Sequence, residues 1–229
     1  MSDIKLYNED CLEALKRLPD QSVDLVITDP PYRVISGGRN DALSRRKWNS
    51  PSGILSKNDG KIFEFNDIDF EEWIPEVYRV LKDNHDFYCM TNVINLIKLC
   101  NVCEKAGFHL HNILIWQKNN ATPNRWYMKN CEYTLYFYKG RARPINNMGS
   151  KTVHSFSNLP HKNHPTEKPI KLMEFYITNS TNEGDIVLDP FMGSGSTGIA
   201  CKDNNRNYIG IELDKKYFDK AQERLNESV

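Results

Sequence analysis

The sequence predicts an α/β fold in one domain, built on a doubly wound, mostly parallel sheet. Three observations carry that expectation. Short apolar, β-branched runs alternate with stretches of helical period along most of the chain. Two of those runs, 23–28 (VDLVIT) and 186–188, are mainly apolar and β-branched, as buried parallel strands are. A chain of 229 residues with 39% apolar and 26% charged content suits one large domain whose core closes without disulfides or metals.

The elements follow in order. Residues 5–7 read as a short strand and 11–17 as a short helix. Residues 23–28 form a buried strand bounded by Asp20 and by Pro30 and Pro31. Residues 33–69 lack periodicity and are rich in Gly, Ser, Asn and Arg, which predicts a long loop of the functional or disordered kind. Residues 70–81 are helical, with Trp73, Val77, Val80 and Leu81 on one face. A strand at 87–90 precedes a helix at 93–106 that Gly107 ends. Residues 112–116 and 133–138 (YTLYFY) are strands, and 140–167 is a second polar loop. The remainder alternates: helix 170–178, strand 186–188, helix 197–202, strand 208–211 and a terminal helix at 215–226. With no repeat, low-complexity tract or linker, 1–229 reads as a single domain in which 33–69 and 140–163 are insertions.

Composition excludes several classes. No stretch approaches the roughly 20 apolar residues a membrane span needs, and MSDIKLYNED has neither an apolar h-region nor a cleavage site. A cytoplasmic protein with no membrane partner is expected. The six cysteines are scattered, so reduced thiols are the default. Cys100 and Cys103 form one C-x-x-C without a second ligand pair, which favours helix-face thiols over zinc. His154, His161 and His164 lie in a polar loop and do not make a metal site, and no metal is expected. Net charge is zero but uneven. Segment 117–171 carries ten Lys/Arg against two Glu, and segment 33–61 seven against two Asp. These stretches are either solvated loops or a polyanion-binding face.

Two motifs carry chemistry. In the first, a strand runs through Asp189, Pro190, Phe191 and Met192 into Gly193-Ser194-Gly195-Ser196-Thr197 and then a helix. Gly193 and Gly195 let backbone approach a ligand, and the helix start offers free N–H groups. The next strand ends in Glu212, about 20 residues on, where a carboxylate can accept from both hydroxyls of a ribose. No Lys-Ser/Thr follows the glycines, so a P-loop does not fit. In the second motif, Asp29-Pro30-Pro31-Tyr32 directly follows VDLVIT. The prolines have no N–H, so this stiff turn presents acceptors and almost no donors. It suits an amino group, bound by the Asp29 carboxylate and the Pro30 carbonyl, on a planar base stacked against Tyr32.

Together these motifs resemble the S-adenosylmethionine-dependent DNA amino-methyltransferases. The tetrapeptide precedes the Gly-rich loop, which is similar to the beta class. His164-Pro165-Thr166-Glu167-Lys168-Pro169, Asn8-Glu9-Asp10, Ile115–Asn119 and Cys131-Glu132-Tyr133 match further segments of that family. The resemblance implies a Rossmann-like, seven-stranded, circularly permuted class I methyltransferase sheet. It implies S-adenosylmethionine as cofactor, S-adenosylhomocysteine as product and double-stranded DNA as substrate. It assigns catalysis to Asp29, Pro30, Pro31 and Tyr32. It assigns cofactor contacts to Asp10 (adenine amine), Thr166 and Lys168 (methionine carboxylate), Asp189, Pro190, Phe191, Gly193, Ser194, Gly195 and Thr197 (methionine and ribose), Glu212 (ribose), Leu213 and Asp29. Candidate DNA contacts are Arg33, Arg39, Arg45, Arg46, Lys47, Lys118, Arg125, Arg141 and Arg143. Asp at position 29 favours N6 of adenine. N4 of cytosine and a non-catalytic nucleic-acid-binding module are the alternatives, and a homodimer and a cognate restriction endonuclease stay open.

Overall fold

The computed structural model describes residues 2–31, 68–122, 127–157 and 167–227. Tyr32, Arg33, Arg39, Arg45, Arg46, Lys47, Arg125 and Thr166 lie outside the described residues. In chain order the elements are β1 (Ile4–Tyr7), α1 (Cys11–Arg17), β2 (Val23–Thr28), α2 (Phe70–Val80), β3 (Leu81–Thr91), α3 (Leu96–Ala106), β4 (His109–Thr122), β5 (Lys129–Tyr138), β6 (Val153–Ser155), α4 (Ile170–Ser180), β7 (Ile186–Asp189), α5 (Ser196–Asp203), β8 (Asn207–Ile211) and α6 (Lys215–Glu227).

One sheet holds the eight strands of the described residues in the order β1-β8-β7-β2-β3-β5-β4-β6. Only β5 runs antiparallel to its neighbours, β3 and β4. The seven expected strands are all present, and β6 is an addition. It is three residues long, half-exposed, and pairs at the edge with Ile115–Gln117, too short to leave an apolar signature. Alternation along β2 and β3 supplies both faces of the sheet. Val26, Phe87 and Cys89 join Leu15, Trp73, Val77 and Leu99 of α1–α3 in one core, while Leu25, Ile27, Tyr88 and Met90 join Tyr176, Ala200 and Ala221 of α4–α6 in the other. Helices therefore cover both faces, as buried, mainly apolar strands predict.

Three boundaries differ for local reasons. β3 starts at Leu81, opposite Val23, but Lys82–His85 are polar and Asn84 has φ +61, which hides the pairing from pattern reading. β4 and β5 extend well past their apolar centres as a long hairpin, with Gln117 opposite Cys131 and Thr122 opposite Lys129. Val93 and Ile94 do not enter α3, because Asn92 Oδ1 accepts from the backbone of Ile94 and Asn95 and makes a turn there. At the other end of α3 the expected stop holds. Gly107 has φ +109, its N–H donates to the Glu104 carbonyl, and the next N–H donates to Cys103.

The topology fixes where a ligand can sit. From β7 the chain crosses to β8 on one side, and from β2 it crosses to β3 on the other. The sheet reverses between β7 and β2, and in open α/β sheets the crevice beyond the carboxyl ends at such a point is the binding position.

Candidate functional site

The carboxyl ends of β1, β8, β7 and β2 stand in a row spanning about 14 Å at ordinary strand spacing. Each end delivers a residue the sequence singles out: Asp10 after β1, Glu212 and Leu213 after β8, the Gly-rich turn after β7, and Asp29-Pro30-Pro31 after β2. Strand pairing brings residues far apart in sequence together. Thr28 Oγ1 donates to Asp189 Oδ1 at 2.7 Å across 161 residues. Asn8 donates its side-chain N–H to the carbonyls of Glu212 and Leu213, which ties the β1 end to the β8 end.

The turn after β7 is built by its glycines and by buried carboxylates. Gly193 (φ +52) and Gly195 (φ +83) lie in the left-handed region, and a Cβ on Gly195 would approach Ala221 Cβ to 3.0 Å. Gly193 N–H donates to Glu212 Oε2 and Asp214 N–H to Oε1, both at 2.9 Å. Each Glu212 oxygen keeps acceptor capacity, and burial pushes its carboxyl above the usual range. Asp10 caps α1 through Leu12 N–H at 2.7 Å, and its side chain is solvent-exposed.

Several residues expected to contact the ligand also tie neighbouring elements together. Asp189 is buried. Its Oδ1 accepts from Thr28 and from the Phe191 backbone and its Oδ2 from Thr197 at 2.7 Å, so it knits β2, β7 and α5. Burial drives its carboxyl up to about 6, against those hydrogen bonds. Ser194 accepts from Arg224 at both its carbonyl (2.5 Å) and its hydroxyl (3.0 Å). Arg224 also pairs with Glu167, so α6 clamps the turn to the segment before α4. Phe191 sits edge-on to buried Trp73, centroids 5.1 Å apart, Pro190 is buried, and Leu213 is 43% exposed.

At the β2 end, Asp29 Oδ1 is buried with no hydrogen-bond partner among the described residues. The other oxygen, Oδ2, accepts from Lys168. Burial raises the Asp29 carboxyl above the carboxylate range. Lys168 opposes that shift, and the charge of Glu132 adds to it. Lys168 is buried just before α4 and also lies 3.5 Å from Glu132 Oε2. It is therefore packed on the Asp29 carboxylate, where the sequence reading placed it on a cofactor carboxylate. Glu132 Oε1 in turn accepts from Lys118, whose ammonium stands 5.0 Å from the Trp116 ring. Lys118, expected at DNA, is thus held inside the site's ion-pair network.

Arg141 and Arg143 are not brought to the site. β5 is antiparallel, so the chain leaving it emerges at the amino ends of β2 and β3, where Arg141 N–H donates to Asn84 Oδ1 at 2.8 Å. Asn84 lies five residues before Cys89, the partner of Thr28, which is roughly 17 Å along the strand. Glu132 and Ser196, whose buried Oγ has no described partner at the start of α5, were not assigned from sequence. A single acid inside the apolar segment 131–138 was the available signal for Glu132.

These residues fit a nucleoside cofactor with a charged tail. The strand ends form an extended row, the glycine turn lets backbone approach closely, and Ser196 Oγ at the α5 start is buried with no partner among the described residues. Among described residues no group of three or more His, Cys, Asp or Glu could hold a metal, and no helix is long and apolar enough to cross a membrane.

A family model described as DNA methylase matches residues 23–223. The chain is 32% identical over 244 residues to the type II methyltransferase M.HinfI of Haemophilus influenzae, covering 95% of this chain and 67% of the relative. It is 28% identical over 252 residues to the type II methyltransferase M2.MboI of Moraxella bovis, covering 98% and 88%. The solved structure of the M1.HpyAVI–SAM complex matches with a TM-score of 0.73 and 31% identity over 97% of this chain and 100% of that one.

Proposed function

The chain belongs to the DNA methylase family, and from that premise we propose that it moves the methyl group of S-adenosylmethionine to N6 of an adenine turned out of double-stranded DNA. The carrying observation is Asp29, whose buried Oδ1 has no donor among the described residues and which sits one residue beyond the Thr28–Asp189 bond that joins the two motifs. S-Adenosylmethionine as cofactor is supported by the fit of the strand-end row and by the SAM complex of a 31% identical relative.

In this reading Glu212 receives the ribose hydroxyls and Asp10 the adenine amine of the cofactor. The turn at 193–195 and the α5 start with Ser196 hold its methionine part, and Thr166 serves its carboxylate. When bound, the cofactor supplies an electrophilic methyl on a sulfonium. The protein acts on the nucleophile. The adenine amine is unreactive because its lone pair is delocalised into the ring. Asp29 Oδ1 and the Pro30 carbonyl, accepting one N–H each, draw the nitrogen toward tetrahedral geometry and localise that pair. Pro30 and Pro31 bring no competing N–H. Catalysis is then mainly orientation and electrostatics. Asp29, its proton affinity raised by burial, receives the departing proton directly or through water.

An adenine inside a duplex must leave the stack to reach this position. Tyr32 stacks on the extruded base, and Arg33, Arg39, Arg45, Arg46 and Lys47 grip phosphates nearby. The type II naming of the relatives supports a cognate restriction endonuclease as partner. DNA incubated with the protein and S-adenosylmethionine, then digested to nucleosides for mass spectrometry with chromatographic separation, should contain N6-methyladenine. N4-methylcytosine alone, or no methylated base, refutes the reading.

A further inference from the structure

We propose that Glu132 is a positioning residue of the methyl-transfer site: bracketed by Lys118 and Lys168, it meters how closely the Lys168 ammonium is held to Asp29. The inference rests on Asp29 acting as the amine acceptor. The arrangement is a chain of alternating charge, Lys118–Glu132–Lys168–Asp29, and each member comes from a different segment. Lys118 is on β4, Glu132 on β5, Lys168 on the segment before α4, and Asp29 at the end of β2. Glu132 offers Oε1 to Lys118 and Oε2 to Lys168. Lys168 is shared between two carboxylates.

The sharing has a chemical purpose. A lysine bound to Asp29 alone would stabilise the ionised carboxylate so strongly that it becomes a weak acceptor for an amine proton. A lysine absent altogether would leave a buried charge unpaired. Glu132 draws part of the ammonium's field away from Asp29 and adds its own negative potential. Lys118 limits how far this goes by neutralising Glu132 from the other side. Burial works against the Glu132 charge, but the two lysines outweigh it and hold that carboxyl below its usual range. The titratable groups that face Asp29 among described residues are Lys168, Glu132 and Lys118, with Asp189 on β7 and Cys89 on β3.

Two substitutions therefore act in opposite directions. Glu132→Gln removes a negative charge and frees Lys168 for Asp29, so the acid limb of the rate moves to lower pH. Lys118→Met removes a positive charge and lets Glu132 compete harder for Lys168, so the acid limb moves to higher pH. The measurement is the single-turnover rate of N6-methyladenine formation against pH at saturating DNA and cofactor, with unfolding temperatures and S-adenosylhomocysteine affinity recorded for each protein. The plateau rate of Glu132→Gln falls on the order of 10- to 100-fold, as displacement of an orienting group does, with product affinity little changed. Glu132→Asp, which keeps the charge, leaves the limb nearer the wild-type position than Glu132→Gln does. Opposite displacements support the role. Limbs that stay fixed or move together overturn it, and either variant refutes it alone by moving the wrong way. A wild type that forms N6-methyladenine while the limbs fail to separate overturns this inference only. A wild type that forms none overturns the functional reading with it.

Discussion

Replacing Asp189 by Asn should remove a specific pH dependence of stability. The carboxylate is buried between β2, β7 and α5, and burial lifts its carboxyl from 3.8 to about 6. The native state then holds its proton more tightly than the unfolded chain does. Stability from this group is full below the unfolded value and is lost as pH rises through about 6. At 1.36 kcal/mol for each unit the loss is about 3 kcal/mol. Asn fits the same bonds. Its carbonyl can take Thr28 and the Phe191 N–H, and its NH2 can donate to Thr197 Oγ1, because a hydroxyl accepts as well as donates. Any fixed cost of the substitution appears at every pH, so the slope isolates the ionisation. Urea unfolding of Asp189→Asn and wild type between pH 4 and pH 7.5 should show the variant gaining about 2.4 kcal/mol relative to wild type across the range, the remainder lying below pH 4. A constant difference, or one that favours wild type as pH rises, refutes the assignment of a buried, desolvated carboxylate.

Other perturbations follow from the same structure. Gly195→Ala forces a side chain to φ +83 and to 3.0 Å from Ala221 Cβ. It should cost about 1–2 kcal/mol of unfolding free energy and weaken S-adenosylhomocysteine binding in calorimetry. Trp73→Ala empties a fully buried site between Phe70, Phe87 and Phe191. Urea titration should show a loss of about 3–5 kcal/mol. Charge reversal at Arg45 and Arg46 should flatten the salt dependence of DNA binding. The same change at Arg141 and Arg143, at the far end of the sheet, should leave the slope unaltered.

The fold was legible wherever one physical signal dominated. Val23–Thr28 is buried at every position, and a strand covered on both faces shows that in its composition. Gly107 announced the end of α3 because only a residue without Cβ takes φ +109 at no cost. The polar ends of β3, β4 and β5 were hidden, because those residues are held by their neighbours' backbones rather than by an apolar face. In the site, the motifs located the strand ends and their glycines. They could not show that Asp189 and Ser194 spend their polar atoms on Thr28, Thr197 and Arg224. Nor could spacing reveal that Lys168 faces Asp29, since that contact joins segments 139 residues apart. Arg141 and Arg143 were grouped with the other basic residues because charge counts carry no direction. The antiparallel turn of β5 sends them to the opposite end of the sheet.

The most direct measurement compares wild type with Asp29→Ala, pairing methyl transfer to DNA from labelled S-adenosylmethionine with S-adenosylhomocysteine affinity by calorimetry. An acceptor at Asp29 predicts a fall in transfer of at least about 100-fold with product still bound. Transfer that survives the substitution, or transfer and affinity lost in equal measure, contradicts it.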